Sequence, residues 1–254
     1  MRNKKQPHAG TSNAAMISRL TTLLGSAAAC ALFPTAAFAQ CAPTSPSDYL
    51  CANTNSTPQV VTGAVSNVTT ASGFSVNTAG GTALSIVSTN GDATYIDGNA
   101  SGLAGTASAL DIRATNGNLI VQTGGALAGG VDAVVANQQG VGTLTLNLSG
   151  AVSSLAGEGI VVRNSASSGD VSVTAGTVTA LATAKDAIDV QSSSTTADVT
   201  VVANGDLRAG NAGIVAAILP GGATGDINVT ANGTINARFG IDAENFGRGS
   251  VTVN

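Results

Sequence analysis

Short runs in which apolar and polar residues alternate recur along most of the chain, each opened by a small residue. The pattern Gly-x-apolar-x-apolar stands at Gly117 (GNLIV), Gly142 (GTLTL), Gly169 (GDVSV), Gly225 (GDINV) and Gly249 (GSVTV), with Ala197 (ADVTV) in the same place and a weaker copy at Gly91 (GDATY). Successive starts are 26, 25, 27, 28, 28 and 24 residues apart. A second run opens seven or eight residues later at Gly125, Gly150, Gly176, Gly205 and Gly233. A third is carried by Leu84, Leu110, Val134, Ile160, Ile188, Ile214 and Ile241. In the unit from Gly169 to Ala187 the first run holds Val171 and Val173, and the second holds Val178 and Leu181. A repeat of this length is the mark of a solenoid, whose units bury their apolar faces only against their neighbours.

The two-residue period predicts strands rather than helices. Val and Thr dominate the runs, and β-branched side chains suit a pleated surface. Gly, Asn and Asp fall between runs, where a positive φ or an Asx bend turns the chain. Helical repeats would need longer runs at 3.6-residue spacing, and none follows the first 39 residues. The expected fold is therefore all-β: a right-handed parallel β-helix of about seven coils of about 26 residues, three short strands to a coil, roughly 34 Å long at about 4.8 Å per coil. Irregular first coils are expected over 60–90 and regular ones from Gly91 onward. Asp92, Asp170, Asp198 and Asp226 would form a row along one corner, interrupted by Asn118, Thr143 and Ser250. Such a row caps turns through side-chain to backbone hydrogen bonds. The alternative, stacked carboxylates around Ca²⁺, lacks the Gly-Gly-x-Gly-x-Asp nonapeptide of calcium-binding β-rolls.

The first 39 residues break the pattern. Arg2, Lys4, Lys5 and Arg19 form a basic segment, Leu20 to Phe33 an apolar one, and Ala37-Phe38-Ala39 a small-residue cleavage motif. We expect residues 1–39 to be a helical signal peptide cut between Ala39 and Gln40. The segment is too short and too rich in Thr, Ser and Ala for a membrane span of about 20 residues. Three divisions follow: 1–39 leader, 40–59 an N-terminal disulfide loop or cap, and 60–254 the β-helix repeats. The chain stops at Asn254 inside the first strand of a new unit, which predicts a fragment or a truncated gene.

Loss of the leader removes the only histidine, His8, and one of three cysteines, Cys30. It leaves six basic against fourteen acidic residues, a net charge of −8, which argues against nucleic acid or an anionic membrane as partner. Cys41 and Cys51 remain, and an even pair in an exported chain predicts a disulfide. Without histidine there is no Ser-His-Asp or Cys-His arrangement and no His-ligated metal. Neither a catalytic set nor a cofactor site is expected, so the chain reads as a non-enzyme. Lys185 is expected on a surface turn, and Arg113, Arg163, Arg208, Arg238 and Arg248 on an ion-paired rim or a saccharide groove. Asp186 and Asp189 are the nearest thing to an acid pair for glycosidic chemistry. Thr143 with Thr145 and Thr177 with Thr179 suggest an ice-binding face, but the pairs do not recur in consecutive coils.

A leader ending AFAQ, a short two-cysteine segment (CAPTSPSDYLCAN) and coils of Gly, Thr, Val and Ala together resemble the passenger domains of Gram-negative autotransporters. The resemblance covers the whole chain and is one of pattern. It implies a secreted or cell-surface β-helix, reached through the periplasm and outer membrane. The implied role is a structural or adhesive display rod facing host or bacterial cell-surface ligands. The implied partner is an outer-membrane β-barrel translocator, which this sequence does not contain. The competing function is a β-helix polysaccharide-active enzyme or a saccharide-binding solenoid.

Overall fold

The computed structural model describes residues 40–165 and 167–254, so the expected signal peptide and the Ala39 side of its cleavage point lie outside the described residues. The described residues are all-β, with no helix, and form a β-solenoid of about seven turns. Three sheets run along it. Sheet A has ten strands, and sheets B and C have eight each. One level of the stack gives one strand to each sheet, so the eight strands of sheets B and C mark eight levels. All inter-level pairs are parallel.

The register explains the alternation in sequence. On sheet C, Leu84, Leu110, Val134, Ile160, Ile188, Ile214 and Ile241 lie directly opposite one another in successive levels. On sheet A the inward column runs Val121, Leu146, Val173, Val201 and Val229. These side chains are buried through level seven, and each contributes about 1.5–3 kcal/mol by leaving water. The ladder begins earlier than the glycine pattern does. Val61, Ile86 and Ile112 are in register, so residues 59–90 are regular levels that keep the apolar alternation while lacking the opening glycine. In the second run the inward pair is Val178 and Ala180; Leu181 lies one residue further on and is 52% exposed. The second run is thus shorter than its apolar residues suggest, since sheet B strands hold only two or three residues.

At the N-terminal end the strands β1 (Gln40–Pro43) and β2 (Asp48–Ala52) form an antiparallel hairpin. β2, β3 (Thr54–Asn55) and β4 (Gln59–Gly63) make the first level. β1 thus covers the edge of sheet A that would otherwise offer unpaired backbone groups. Cys41 and Cys51 are opposite residues of this hairpin and are joined as a disulfide. Cys41 N also donates to Gln59 Oε1 at 3.2 Å. Opening the disulfide by Cys41→Ser with Cys51→Ser is expected to cost about 2–3 kcal/mol. Guanidinium unfolding of the two proteins side by side measures it, and an unchanged midpoint would show that the hairpin is held by its ladder alone.

The interior is not wholly apolar. Tyr95 is fully buried between Val68 and Val121, and its hydroxyl has no hydrogen-bond partner among the described residues. Burial, aided by the Asp97 carboxylate, pushes its ionisation far above the ordinary tyrosine value. An unmatched buried hydroxyl costs about 1–3 kcal/mol. Tyr95→Phe keeps the ring and removes that cost, so it is expected to raise stability by about 1 kcal/mol. A loss of stability in thermal or chemical unfolding would mean that the hydroxyl has a partner after all.

At the other end, Ile241 and Ala243 of the last level are half-buried, and Val251 and Val253 are 42% and 50% exposed. They occupy positions that are fully buried in the levels before them, because no described level stacks on them.

Candidate functional site

The three sheets present different outward faces. Sheet A shows Thr94, Ile120, Thr145, Ser172, Thr200 and Asn228 in one column. Thr145 and Ser172 therefore do neighbour each other, whereas Thr143 precedes its strand. Sheet C carries charge: Asp111, Arg113, Arg163 and Asp189, then Asp242 and Glu244. Sheet B is built of small residues, with Ala104, Ala128, Ser153 and Thr179 in its outward column. Small side chains on short strands leave a depression. A trough of about 420 Å³ follows sheet B, lined by Asn77, Ala104, Gly105, Ala128, Gly130 and Leu155 among others. A shallower apolar extension runs beside it along Ser75, Gly102 and Ala126.

The turn after sheet B walls one side of this trough and holds three groups whose ionisation is shifted, Asp132, Glu158 and Lys185. Val131, Leu155 and Leu181 stand out from it, 48%, 65% and 52% exposed. They belong to consecutive levels: Gly157 N donates to Val131 O, and Leu181 N donates to Ser154 O. Behind them Asp132 accepts from Glu158 N through Oδ1 at 2.9 Å. Lys185 Nζ donates to both Glu158 oxygens at 2.9 and 3.2 Å. Burial and the neighbouring Glu158 carboxylate raise the Asp132 carboxyl above the usual carboxylate range. Burial pulls Glu158 the same way, but the Lys185 ammonium outweighs it and holds Glu158 below its ordinary value. A raised carboxyl beside a lowered one is the arrangement that acid–base chemistry uses. Here both are spent on stacking one turn upon the next, through a backbone N–H and an ion pair.

The residues singled out in sequence are dispersed rather than gathered. Asp186 accepts from Asn211 Nδ2 and Ala212 N, both at 2.8 Å, while Asp189 on sheet C pairs with Arg163. The two acids therefore have separate structural partners and do not converge. Lys185 lies in the turn between the sheet B and sheet C strands and is ion-paired to Glu158. Of the arginines, Arg113 is bidentate to Asp111 at 2.8 and 3.0 Å, and Arg238 lies 5.1 Å from the Phe239 ring centroid. Arg208 lies on the outward side of sheet B beyond the trough, against Thr179 of the preceding level.

The corner aspartates do bond to backbone, but across levels rather than within a turn. Asp92 Oδ1 accepts from Asn118 N, Asp170 from Asp198 N, Asp198 from Asp226 N, and Asp226 from Ser250 N. Asn118 takes the same role toward Thr143, so the ladder runs from Asp92 to Thr143 and resumes at Asp170. Among the described residues no group of three His, Cys, Asp or Glu side chains is placed to hold a metal ion. The trough has no positive signal in the sequence, because what marks it is absence of bulk: two alanines at outward positions, flanked by glycines. No protein-family model, no curated protein and no solved structure matches the chain.

Proposed function

We propose that the chain is an exported, non-catalytic display solenoid of the autotransporter passenger kind, working at the cell surface of a Gram-negative bacterium. In this reading the β-helix is right-handed, residues 1–39 are removed after Ala39, and an outer-membrane barrel acts as translocator. The supporting observation is the division of labour in the stack. Inward columns repeat the same apolar types over about seven turns, while outward columns change from neutral to charged to small from sheet to sheet. An invariant interior with a variable exterior is what a solenoid that presents surface to partners requires. The leader composition and the two-cysteine hairpin agree with export to an oxidising compartment.

The test is expression of the full gene in a Gram-negative host, with N-terminal sequencing and protease shaving of intact cells. A mature chain beginning at Gln40 and cleaved from outside supports the reading. A chain retained in the cytoplasm with Met1 intact overturns it. Beads coated with the mature chain should then be retained on bacterial or host cell layers more than uncoated beads, and equal retention removes the adhesive part of the reading.

A further inference from the structure

We infer that a single water molecule is bound inside the stack between the fourth and fifth levels, giving one hydrogen to Gln138 Oε1 and the other to Asn164 Oδ1. These residues end the sheet C strands of the two levels, at the corner where the chain turns toward sheet A. They lie directly opposite each other in the ladder, in a column that runs Ser88, Ala114, Gln138, Asn164 and Ser192. Gln138 is fully buried and Asn164 is 3% exposed. Both side-chain oxygens are enclosed, and neither has a hydrogen-bond partner among the described residues.

The amide nitrogens fix which way these oxygens turn. Gln138 Nε2 donates to Gly117 O and Val141 O, both at 2.6 Å. Gly117 belongs to the turn of the level before, so the amide reaches back past Ala114, whose side chain is small enough to let it by. Ser88 Oγ meets the equivalent pair of acceptors, Ala64 O in the turn before and Gly91 O in its own. Asn164 Nδ2 goes the other way, to Gly169 O in its own turn at 3.0 Å and to Ser192 Oγ of the next level at 3.2 Å. Three of these four acceptors are backbone carbonyls, which cannot donate, so turning either amide over would set oxygen against oxygen. One nitrogen is sent to the level before and the other to the level after, which leaves the two oxygens toward the space between their own levels. Two buried acceptors side by side repel each other and have both given up solvent, and folded proteins relieve such groups with a shared donor. A water has two hydrogens to give and brings no charge, and two to four polar partners are what a buried water needs. A hard cation would call for about six oxygens, carboxylates among them, whereas this corner offers two neutral ones. The bound water stitches the fourth level to the fifth where the inward column is polar. It belongs to the folded chain itself and is independent of export or display.

The experiment is a high-resolution crystal structure of the purified protein, with unfolding of three variants beside it. A peak about 2.7–3.0 Å from both oxygens is expected. Gln138→Met and Asn164→Leu keep the shape of the side chains and remove the oxygens. Each is expected to lower the urea midpoint, and the double variant to lose less than the two losses added, because the shared water is lost only once. Magnetic relaxation dispersion of the water nuclei should count one fewer long-lived internal water in Gln138→Met than in the wild type. A wild-type map with no peak between the two oxygens overturns the inference, and so does one in which a third protein donor reaches either of them. An equal count of internal waters overturns it too, as does a double variant that loses as much as the sum or more, the result that oxygens without a common donor would give. The wild-type map decides the matter even where a variant fails to fold.

Discussion

Asp97→Ala is expected to cost about 3–4 kcal/mol and to unfold the early levels first. Asp97 is 5% exposed, sits at the end of the sheet A strand of the third level (Ala93–Asp97) on its inward side, and its carboxylate accepts five hydrogen bonds. Thr70 Oγ1, Asn99 N and Ser101 Oγ donate to Oδ1 at 2.7, 3.0 and 2.9 Å. Ser101 N and Thr123 Oγ1 donate to Oδ2 at 2.7 and 2.6 Å. The donors come from three successive levels, so one side chain ties the stack together where the apolar column is interrupted. Alanine leaves buried donors with no acceptor, and each such group costs more than the bond itself is worth. Because levels contact only their neighbours, the loss is local in origin. Hydrogen exchange should show lost protection over 66–123 before it shows loss elsewhere. Uniform protection in the variant would mean that water replaces the carboxylate at little cost.

The same residue sets a pH dependence. Burial alone would raise its pKa, but the five donors outweigh burial and the net shift is downward. The unfolded chain therefore binds a proton at higher pH than the folded one. The stabilisation is fully present above the ordinary aspartate value of about 3.9 and is lost as pH falls through the folded value. Asp97→Asn cannot titrate, so the difference in stability between wild type and this variant should shrink on acidification. A difference that stays constant from pH 6 to pH 3 would show that the carboxylate contributes no charge-dependent stability.

The period, the strand type and the inward columns were legible because every level repeats the same demand on the same position. Leu110 and Ile188 must be apolar for the reason that Ile160 must. What was not legible depends on relations between levels. Asp92 and Asp97 lie five residues apart in one weak copy of the repeat, yet the first bonds the next level's backbone from outside and the second bonds three levels from inside. Alternation puts Asp97 in phase with Ala93 and Tyr95, facing inward, but its donors on the levels either side appear only once the register is known. Leu181 belongs to the apolar run that begins at Val178, but three residues on, an odd step, it falls on the outward side of a two-residue period. The trough was hidden for the opposite reason: Ala104 and Ala128 read as filler until the register set them one above the other.

Glycine at the opening of the second run is where the sequence pattern and its physical cause separate most sharply, and Gly125→Ala is the variant expected to do the most damage. Gly125, Gly150 and Gly233 look like turn residues chosen for a positive φ, but none of them adopts one. The reason for glycine is the approach of the level below. A Cβ on Gly125 would lie 1.9 Å from Ser101 O and 2.6 Å from Ser101 C; on Gly150 it would lie 2.2 Å from Gly125 O, and on Gly233 2.4 Å from Gly205 O. Backbone meets backbone here, so no flexible side chain can swing aside, and relief requires parting two levels that share three ladders. At Gly142 both causes act together: φ is +113° and a Cβ would lie 2.0 Å from Gly117 O. Gly125→Ala is therefore expected to lose more than about 4 kcal/mol, in the range of severe core disruption. The neighbouring Gly124 is the control. Its added Cβ meets the Ser149 hydroxyl at 3.3 Å and Ala100 Cβ at 3.9 Å, so Gly124→Ala is expected to change stability by less than about 1 kcal/mol, with a gain from the stiffer unfolded chain. Urea unfolding of the two variants decides the matter. If both behave alike, the levels have more freedom to separate than their ladders imply, and glycine in this column serves the turn rather than the stack.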